Sequence, residues 1–243
     1  MREDTLKPTV SVVIPCFNEE ENIPLLAWQV QETFEGLPDY PYECIFVDDG
    51  STDGSREQLR QLRSENPCVR AVHLRRNTGQ SAALVAGMRK ARGQYILTLD
   101  GDLQNDPADF PQFLELLREY DCVYGYRKER HDSWVRRMSS RIANAVRNGV
   151  LHDGIRDSGC GAKGFRRECV DFIVPFNGVH RFVAVFIRNA GFSITECPVT
   201  HHPRLHGQSK YGINNRLWRG LFDLVGVTWL RKRYVHPEIE EEA

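Results

Sequence analysis

The chain has 243 residues, 41% hydrophobic and 27% charged, which suits one large globular α/β domain and excludes a disordered chain. A formal net charge of −1 gives no bulk electrostatic case for a nucleic-acid partner. Its seven cysteines are scattered and form no CxxC pair, which argues for reduced thiols and against a disulfide framework or zinc site.

Residues 1–8 read as an N-terminal tail with no apolar leader segment. Thr9 to Cys16 is an apolar, β-branched run and is expected to form a buried strand. Ile23, Leu26, Ala27, Val30 and Phe34 then recur at helical spacing. Tyr42 to Val47 reads as the next strand, ending in the turn signal Asp48-Asp49-Gly50-Ser51, with a polar helix from about Asp53 to Ser64. The alternation continues with a strand at Val69 to Leu74 and a small-residue helix at Gly79 to Ala91. A strand at Tyr95 to Leu99 ends in Asp100-Gly101-Asp102. A helix follows at Pro107 to Glu119, with proline in its first turn, and then a short strand at Cys122 to Gly125.

Beyond Arg127 the pattern loosens. Ser133 to Val150 reads as a basic amphipathic helix, and Asp153 to Gly164 as a glycine-rich loop. A helix at Val179 to Ala190 and a strand at Ser193 to Thr200 precede a polar, mobile loop at His201 to Gly212. Asn214 to Leu230 is an amphipathic helix, followed by an acidic tail. Its longest uncharged stretch, Leu224 to Leu230, has seven residues, whereas a membrane span needs roughly 20.

Strands separated by helices imply βαβ units and a mostly parallel sheet, whose ligands bind beyond the carboxyl ends of the strands. The clusters Phe17-Asn18-Glu19, Asp48-Asp49 and Asp100-Gly101-Asp102 each follow a strand, so they should meet along one edge. Asp100 and Asp102 form an oxygen-donor pair suited to a hard divalent cation whose shell is completed by phosphates and water. Asp48 and Asp49 exceed what a turn needs, and one of them could accept hydrogen bonds from a base or ribose. His180 reads as a core-edge histidine. His201, His202 and His206, interrupted by Pro203 and Arg204, make poor metal-ligand geometry.

The segments PCFNEEENI, FVDDGSTDGS, RRNTGQSAALVAGMRKARG, LTLDGDLQNDP, YGYRKER, DSGCGAKGFRRE, GVHRF and HHPRLHGQSKYG occur in this order. Together they resemble the successive motifs of glycosyltransferase family 2, and within it the polyprenyl-phosphate branch, over roughly residues 9 to 230. The resemblance implies a GT-A fold: an α/β, single Rossmann-like domain with a mostly parallel central sheet flanked by helices. On that reading residues 9–212 are the catalytic domain, 213–233 an amphipathic C-terminal helix and 234–243 the acidic tail.

The resemblance also implies roles. Pro15, Phe17, Glu19, Val47 and Asp49 would line the nucleotide pocket of a UDP- or GDP-linked sugar donor. Asp100 and Asp102, with Gly101 between them and Gln104 beyond, would hold Mg²⁺ or Mn²⁺ and the donor diphosphate. Arg204 and Lys210 would clamp that diphosphate, Arg127 and Arg130 would receive the phosphate of a polyprenyl-phosphate acceptor, and Asp157 would orient an arginine or the metal.

Such a reaction is an inverting, metal-dependent transfer. It places the protein in the cytoplasm, peripheral at the cytoplasmic face of the membrane, alone or with an integral membrane partner. Arg136 to Arg147 also fit a plain solvated helix, and the Trp218/Phe222/Trp229 face fits either a membrane surface or packing on its own domain. Two other functions fit the sequence: transfer to a saccharide or other hydroxyl acceptor, and a catalytically silent nucleotide-sugar-binding subunit that regulates a membrane partner.

Overall fold

The computed structural model describes residues 7–128, 134–204 and 213–235, apart from the side chains of 134–137, 139–141, 143, 213–219 and 221. In chain order the regular elements are β1 (Val10–Cys16), α1 (Asn22–Glu35), β2 (Tyr42–Asp48), α2 (Ser55–Glu65), β3 (Val69–His73), α3 (Gln80–Lys90) and β4 (Tyr95–Thr98). There follow α4 (Phe110–Leu116), β5 (Cys122–Arg127), α5 (Trp134–Leu151), β6 (Lys163–Arg166), α6 (Val183–Asn189), β7 (Ile194–Val199) and α7 (Ile213–Arg231). Short 3-10 turns lead into α4 (Pro107–Asp109) and α6 (Val179–Arg181), and a third follows β6 at Arg167–Phe172.

The seven strands form one sheet in the order β3-β2-β1-β4-β6-β5-β7. β1 pairs in parallel with β2 and β4, β2 with β3, and β5 with β7. β6 runs antiparallel to both neighbours, β4 and β5. The sheet is therefore mostly parallel, and six strand ends reach one edge. There the register sets Cys16 opposite Asp48 and Val13 opposite Thr98.

Side-chain alternation along the strands divides the core into two layers. Val10, Val12 and Ile14 face one side, under Ile23, Leu26 and Val30 of α1, Leu59 of α2 and Phe113 of α4. Val13, Ile45 and Val47 face the other, under Ala83 and Met88 of α3 and Phe186 of α6. Val47, expected at the nucleotide pocket, belongs to this core. Its side chain is fully buried and approaches Gly87 so closely that a Cβ there would lie 2.9 Å from it.

β6 corrects the glycine-rich loop expected at Asp153 to Gly164, which ends where Lys163 enters the sheet. The strand has only four residues, KGFR, and its interior glycine fits between Leu97, Leu117 and Phe113. The helices expected from Pro107 and from Val179 begin as 3-10 turns. Asp106 caps the first by accepting from Ala108 N at 2.9 Å.

Candidate active site

The edge is built by strand ends and by loops that bond to one another. After β1, Asn18 takes a positive φ of 54° and accepts from Thr52 N at 2.8 Å, while Ser51 Oγ and Ser55 Oγ accept from Asn18 N and Glu19 N. The Glu19 carboxylate accepts from Asn22 Nδ2 at 2.5 Å at the start of α1. Pro15 is buried, and Phe17 and Glu19 are half-buried in the same rim.

The two aspartates after β2 have different work. Asp48 is fully buried and accepts from Ser51 N at 2.8 Å, with Arg56 Nε and His73 Nδ1 on its other oxygen at 3.2 and 3.1 Å. Burial works to raise its pKa, but these hydrogen bonds outweigh burial and hold it below the usual carboxylate range. Asp49 accepts from Thr78 N, Thr78 Oγ1 and Gly79 N at 2.8, 2.9 and 2.7 Å. Its carboxylate thus fixes the loop ahead of α3. A cleft of about 510 Å³ lies on that loop, lined by Leu74, Arg75, Arg76, Thr78 and Ala82.

From the same loop, Gln80 Nε2 donates to Asp100 Oδ1 at 2.6 Å. Asp102 accepts from Gln104 N at 3.2 Å and, through Oδ2, from Arg204 Nη2 at 2.5 Å. Arg204 reaches it because the segment after β7 docks on the loop after β4. His202 N donates to Gln104 O at 2.9 Å, His202 Nε2 lies 3.0 Å from Asp106, and Asp109 accepts from Thr200 N at 2.8 Å. Gly101 backs onto β1, where a Cβ would meet Pro15 O at 3.0 Å.

The third wall is the loop that enters β6. Asp157 takes Arg127 in a two-pronged pair, with Nε to Oδ2 at 2.7 Å and Nη2 to Oδ1 at 3.0 Å. Four residues on, Gly161 lies against Asp100: a Cβ would sit 2.5 Å from its carboxylate, while Gly161 O accepts from Thr98 Oγ1 at 2.8 Å. Lys163, opposite Thr98 and Tyr124 in the sheet, is buried; its ammonium donates to Cys160 O and lies 5.4 Å from the Tyr124 ring centre. Burial pulls the Lys163 pKa down, opposed by Cys160, Asp100 and Asp157. Burial and then the Asp102 charge push Asp100 up to about 6, against the pull of Lys163 and Arg127.

Asp100, Asp102, Gln104, Arg127, Asp157 and Arg204 thus share one neighbourhood, with Asp49 joined to it through Thr78, Gly79 and Gln80. Arg130 and Lys210 lie outside the described residues. Among the described residues no group of three or more His, Cys, Asp or Glu side chains is placed to hold a metal. The oxygen donors are the Asp100 and Asp102 carboxylates, with Gln104 held beside Asp102 through its backbone N–H. Burial and the Asp102 charge raise the pKa of Asp100, and two neighbouring carboxylates of this kind suit a hard divalent cation.

Gln80, Gly161 and Lys163 are the residues that sequence reasoning missed. The weak signals were a glutamine directly after a glycine at a helix start, a Gly-x-Gly ahead of a charged residue, and a lysine inside a strand. Replacing Gly161 with alanine should force Asp100 aside. The expected cost is about 1–3 kcal/mol of stability from overpacking and, if Asp100 supports turnover, about 10²-fold in rate. Thermal unfolding with steady-state rates checks both, and unchanged activity would show that this contact does not matter.

His180 bonds through Nδ1 to Ser81 Oγ at 2.7 Å, and that hydroxyl also accepts from Gly178 N, so the histidine ties its turn to α3. All seven cysteines are free thiols.

A family model described as Glycosyl transferase family 2 matches residues 11–173. A dodecaprenyl-phosphate galacturonate synthase of Rhizobium johnstonii is 38% identical, covering 94% of this chain and 69% of the relative. An undecaprenyl-phosphate 4-deoxy-4-formamido-L-arabinose transferase of Serratia proteamaculans is 36% identical, covering 89% of this chain and 66% of the relative. Among solved structures, a glucosyl-3-phosphoglycerate synthase from Mycobacterium tuberculosis in complex with UDP aligns at a TM-score of 0.65 and 18% identity, covering 94% of this chain and 82% of that one. A mannosyltransferase from Pyrobaculum calidifontis in complex with GDP-Man and Mn²⁺ aligns at 0.64 and 20% identity, covering 96% and 67%. These neighbours share the GT-A fold.

Proposed function

Because the chain belongs to glycosyl transferase family 2, we propose that it moves a sugar from a UDP- or GDP-linked donor to the phosphate of a polyprenyl phosphate, with inversion, in a metal-dependent single displacement. The observation that carries the reading is the adjacency of two charge systems at one sheet edge. Asp100 of the acid pair lies against Gly161, and the loop holding Gly161 also carries Asp157, which pairs with Arg127 of β5. One suits a cation and a diphosphate; the other suits an incoming phosphate.

In this reaction the bond from the sugar's anomeric carbon to the donor diphosphate breaks, and one from that carbon to an acceptor phosphate oxygen forms. Mg²⁺ or Mn²⁺, held by Asp100 and Asp102 with Gln104, would offset the charge that grows on the leaving diphosphate. Arg204, resting on Asp102, adds a guanidinium to the same flank, and Lys210 is assigned to it from its motif. The acceptor phosphate, with a second pKa of about 6, is already largely a dianion at neutral pH and needs no base. It needs cations to approach a diphosphate, which is the role given to Arg127, and to Arg130 from its motif. Asp157, with both oxygens accepting from Arg127, orients that fork. Asp49 shapes the donor cleft by holding Thr78 and Gly79.

The test is a thermal-shift screen of UDP- and GDP-sugars with Mg²⁺ or Mn²⁺, followed by transfer to undecaprenyl phosphate in detergent. Stabilisation by a nucleotide-sugar plus metal, then a lipid-linked sugar product, is expected. Efficient transfer to a sugar hydroxyl, with none to the lipid phosphate, would overturn the acceptor assignment.

Cation binding should depend on pH in a fixed direction. The Asp100 pKa is raised to about 6, so below that pH a proton occupies the site and must be displaced. Affinity for Mn²⁺, measured by calorimetry without donor, should climb as pH rises through about 6 and level off above it. A flat profile would remove Asp100 from the metal site.

A further inference from the structure

The loop that carries Asp157 is pinned to α5 by a buried ionic cluster. Arg147, part of the basic run that reads from sequence as a solvated helix, is only 6% exposed, and Asp153 beside it 1%. Arg147 Nε lies 2.9 Å from Asp153 Oδ2, while Nη2 donates to Asp153 Oδ1 at 3.2 Å and to Ile155 O. Its Nη1 donates to Asn144 Oδ1 at 3.0 Å, and Asn148 Nδ2 donates to Ile155 O at 2.9 Å. The Asn144 oxygen that meets Arg147 also accepts from Ser158 Oγ at 3.2 Å. Ser158 stands between Asp157, which takes the Arg127 fork, and Gly159, where a Cβ would lie 3.7 Å from Arg127 Nη2. Arg156 ties the same loop to the sheet: its N and Nε each donate to Glu196 of β7 at 2.9 Å, and its guanidinium lies 3.9 Å from the Tyr126 ring centre.

We propose that Arg147 is a positioning residue for the acceptor: it sets the loop at Asp153, at Ile155 and, through Asn144, at Ser158, so that Asp157 aims the Arg127 fork. Burying a charge pair is costly, and apolar side chains of similar volume would hold a loop at least as firmly. Apolar contacts, however, have no direction. A guanidinium offers several donors in one plane, so a single side chain fixes the angle of the loop as well as its place. With Ile155 and Ser158 both held, the two residues between them have little freedom to turn, and one of those is Asp157. A phosphate met by a two-pronged donor is sensitive to that angle. The inference rests on the acceptor role given to Arg127 above and adds the residues that make it effective.

Calorimetry on the full chain tests it. Farnesyl phosphate is the acceptor probe, and Mn²⁺ with UDP or GDP, whichever the thermal-shift screen selects, is the donor probe. Arg147→Met/Asp153→Leu exchanges the ion pair for apolar groups and should keep the unfolding midpoint and the Mn²⁺–nucleotide affinity. Its affinity for farnesyl phosphate should fall by about 10- to 100-fold, the worth of a hydrogen bond to a charged group. Asn144→Leu should show part of that fall. Asn144→Asp, which keeps an accepting oxygen for Arg147 and Ser158, should restore wild-type affinity. Arg127→Lys, run beside them, should lose farnesyl phosphate binding at least as far as the double variant.

Wild-type farnesyl phosphate affinity in the double variant and in Asn144→Leu, with Arg127→Lys impaired, would overturn the positioning role and leave the acceptor assignment standing. An equal fall in acceptor and Mn²⁺–nucleotide affinity would also overturn it, because the cluster would then only hold the domain together. Wild-type affinity in Arg127→Lys would overturn the acceptor assignment and the positioning role with it. If the double variant does not fold, the Asn144 pair decides: equal affinities overturn the proposal, and a loss with leucine that aspartate restores supports it.

Discussion

Replacing Asp102 with alanine is expected to lower sugar transfer by about 10³-fold while leaving the fold in place. The rate figure is that for removing a group aimed at charge developing in the transition state. The structural cost is small because the Asp102–Arg204 pair is partly open, with side-chain exposures of 13% and 30%. Such a contact contributes about 1 kcal/mol or less. The loss should therefore appear in turnover and in Mg²⁺ or Mn²⁺ affinity, with the unfolding midpoint shifted by a few degrees at most. Asp102→Asn should restore the shape and not the charge, and should stay slow. Turnover by Asp102→Ala in excess chelator at the wild-type rate would end the metal-dependent mechanism.

Arg127 and Asp157 give the second large effect, and here rate and stability separate. The pair is well sequestered, with side-chain exposures of 19% and 5%, and its geometry is two-pronged. Removing one partner from a pair of this kind leaves the other charge desolvated, at a cost of about 3–5 kcal/mol. Arg127→Ala is thus expected to destabilise the protein by about 3 kcal/mol and to abolish transfer to a lipid phosphate. The double variant Arg127→Ala/Asp157→Asn removes the orphaned charge and should regain much of the stability. It should regain none of the transfer, because the cation proposed to meet the acceptor is still missing. Arg127→Lys should fold but stay slow, since an ammonium cannot match the planar fork. Denaturant unfolding and initial rates on all three variants test this. Recovery of transfer together with stability in the double variant would show that the pair only holds the loop.

The sheet was legible because its strands are apolar and β-branched and its helices have clear spacing. Three of the strand ends, those of β1, β2 and β4, carry a polar cluster, so the meeting of Asp49, Asp100 and Asp102 along one edge follows from parallel order alone. β6 was not legible. Four residues, KGFR, offer no alternation to read, and a lysine in a strand looks like solvent exposure until the sheet closes over it. The division of labour between Asp48 and Asp49 was equally hidden. Both sit in one turn signal, and only the long-range partners Arg56, His73, Thr78 and Gly79 separate a turn organiser from a loop clamp. The burial of the Val47 side chain has a local reason: alternation turns it to the α3 face.

The antiparallel course of β6 also sets when the site can exist. A strand reversed among parallel neighbours begins where they finish, which is how Asp157 and Gly161 arrive at the edge beside Arg127 and Asp100. During synthesis β1, β2, β3 and β4 can pair as each emerges, but the acid pair has no third wall until β6 has been made. The Asp102–Arg204 contact must then close across 102 residues. Contacts of such long range form late in folding. A nascent chain halted before Lys163 would thus carry a folded half-sheet with the carboxylates in place and no competence to use them.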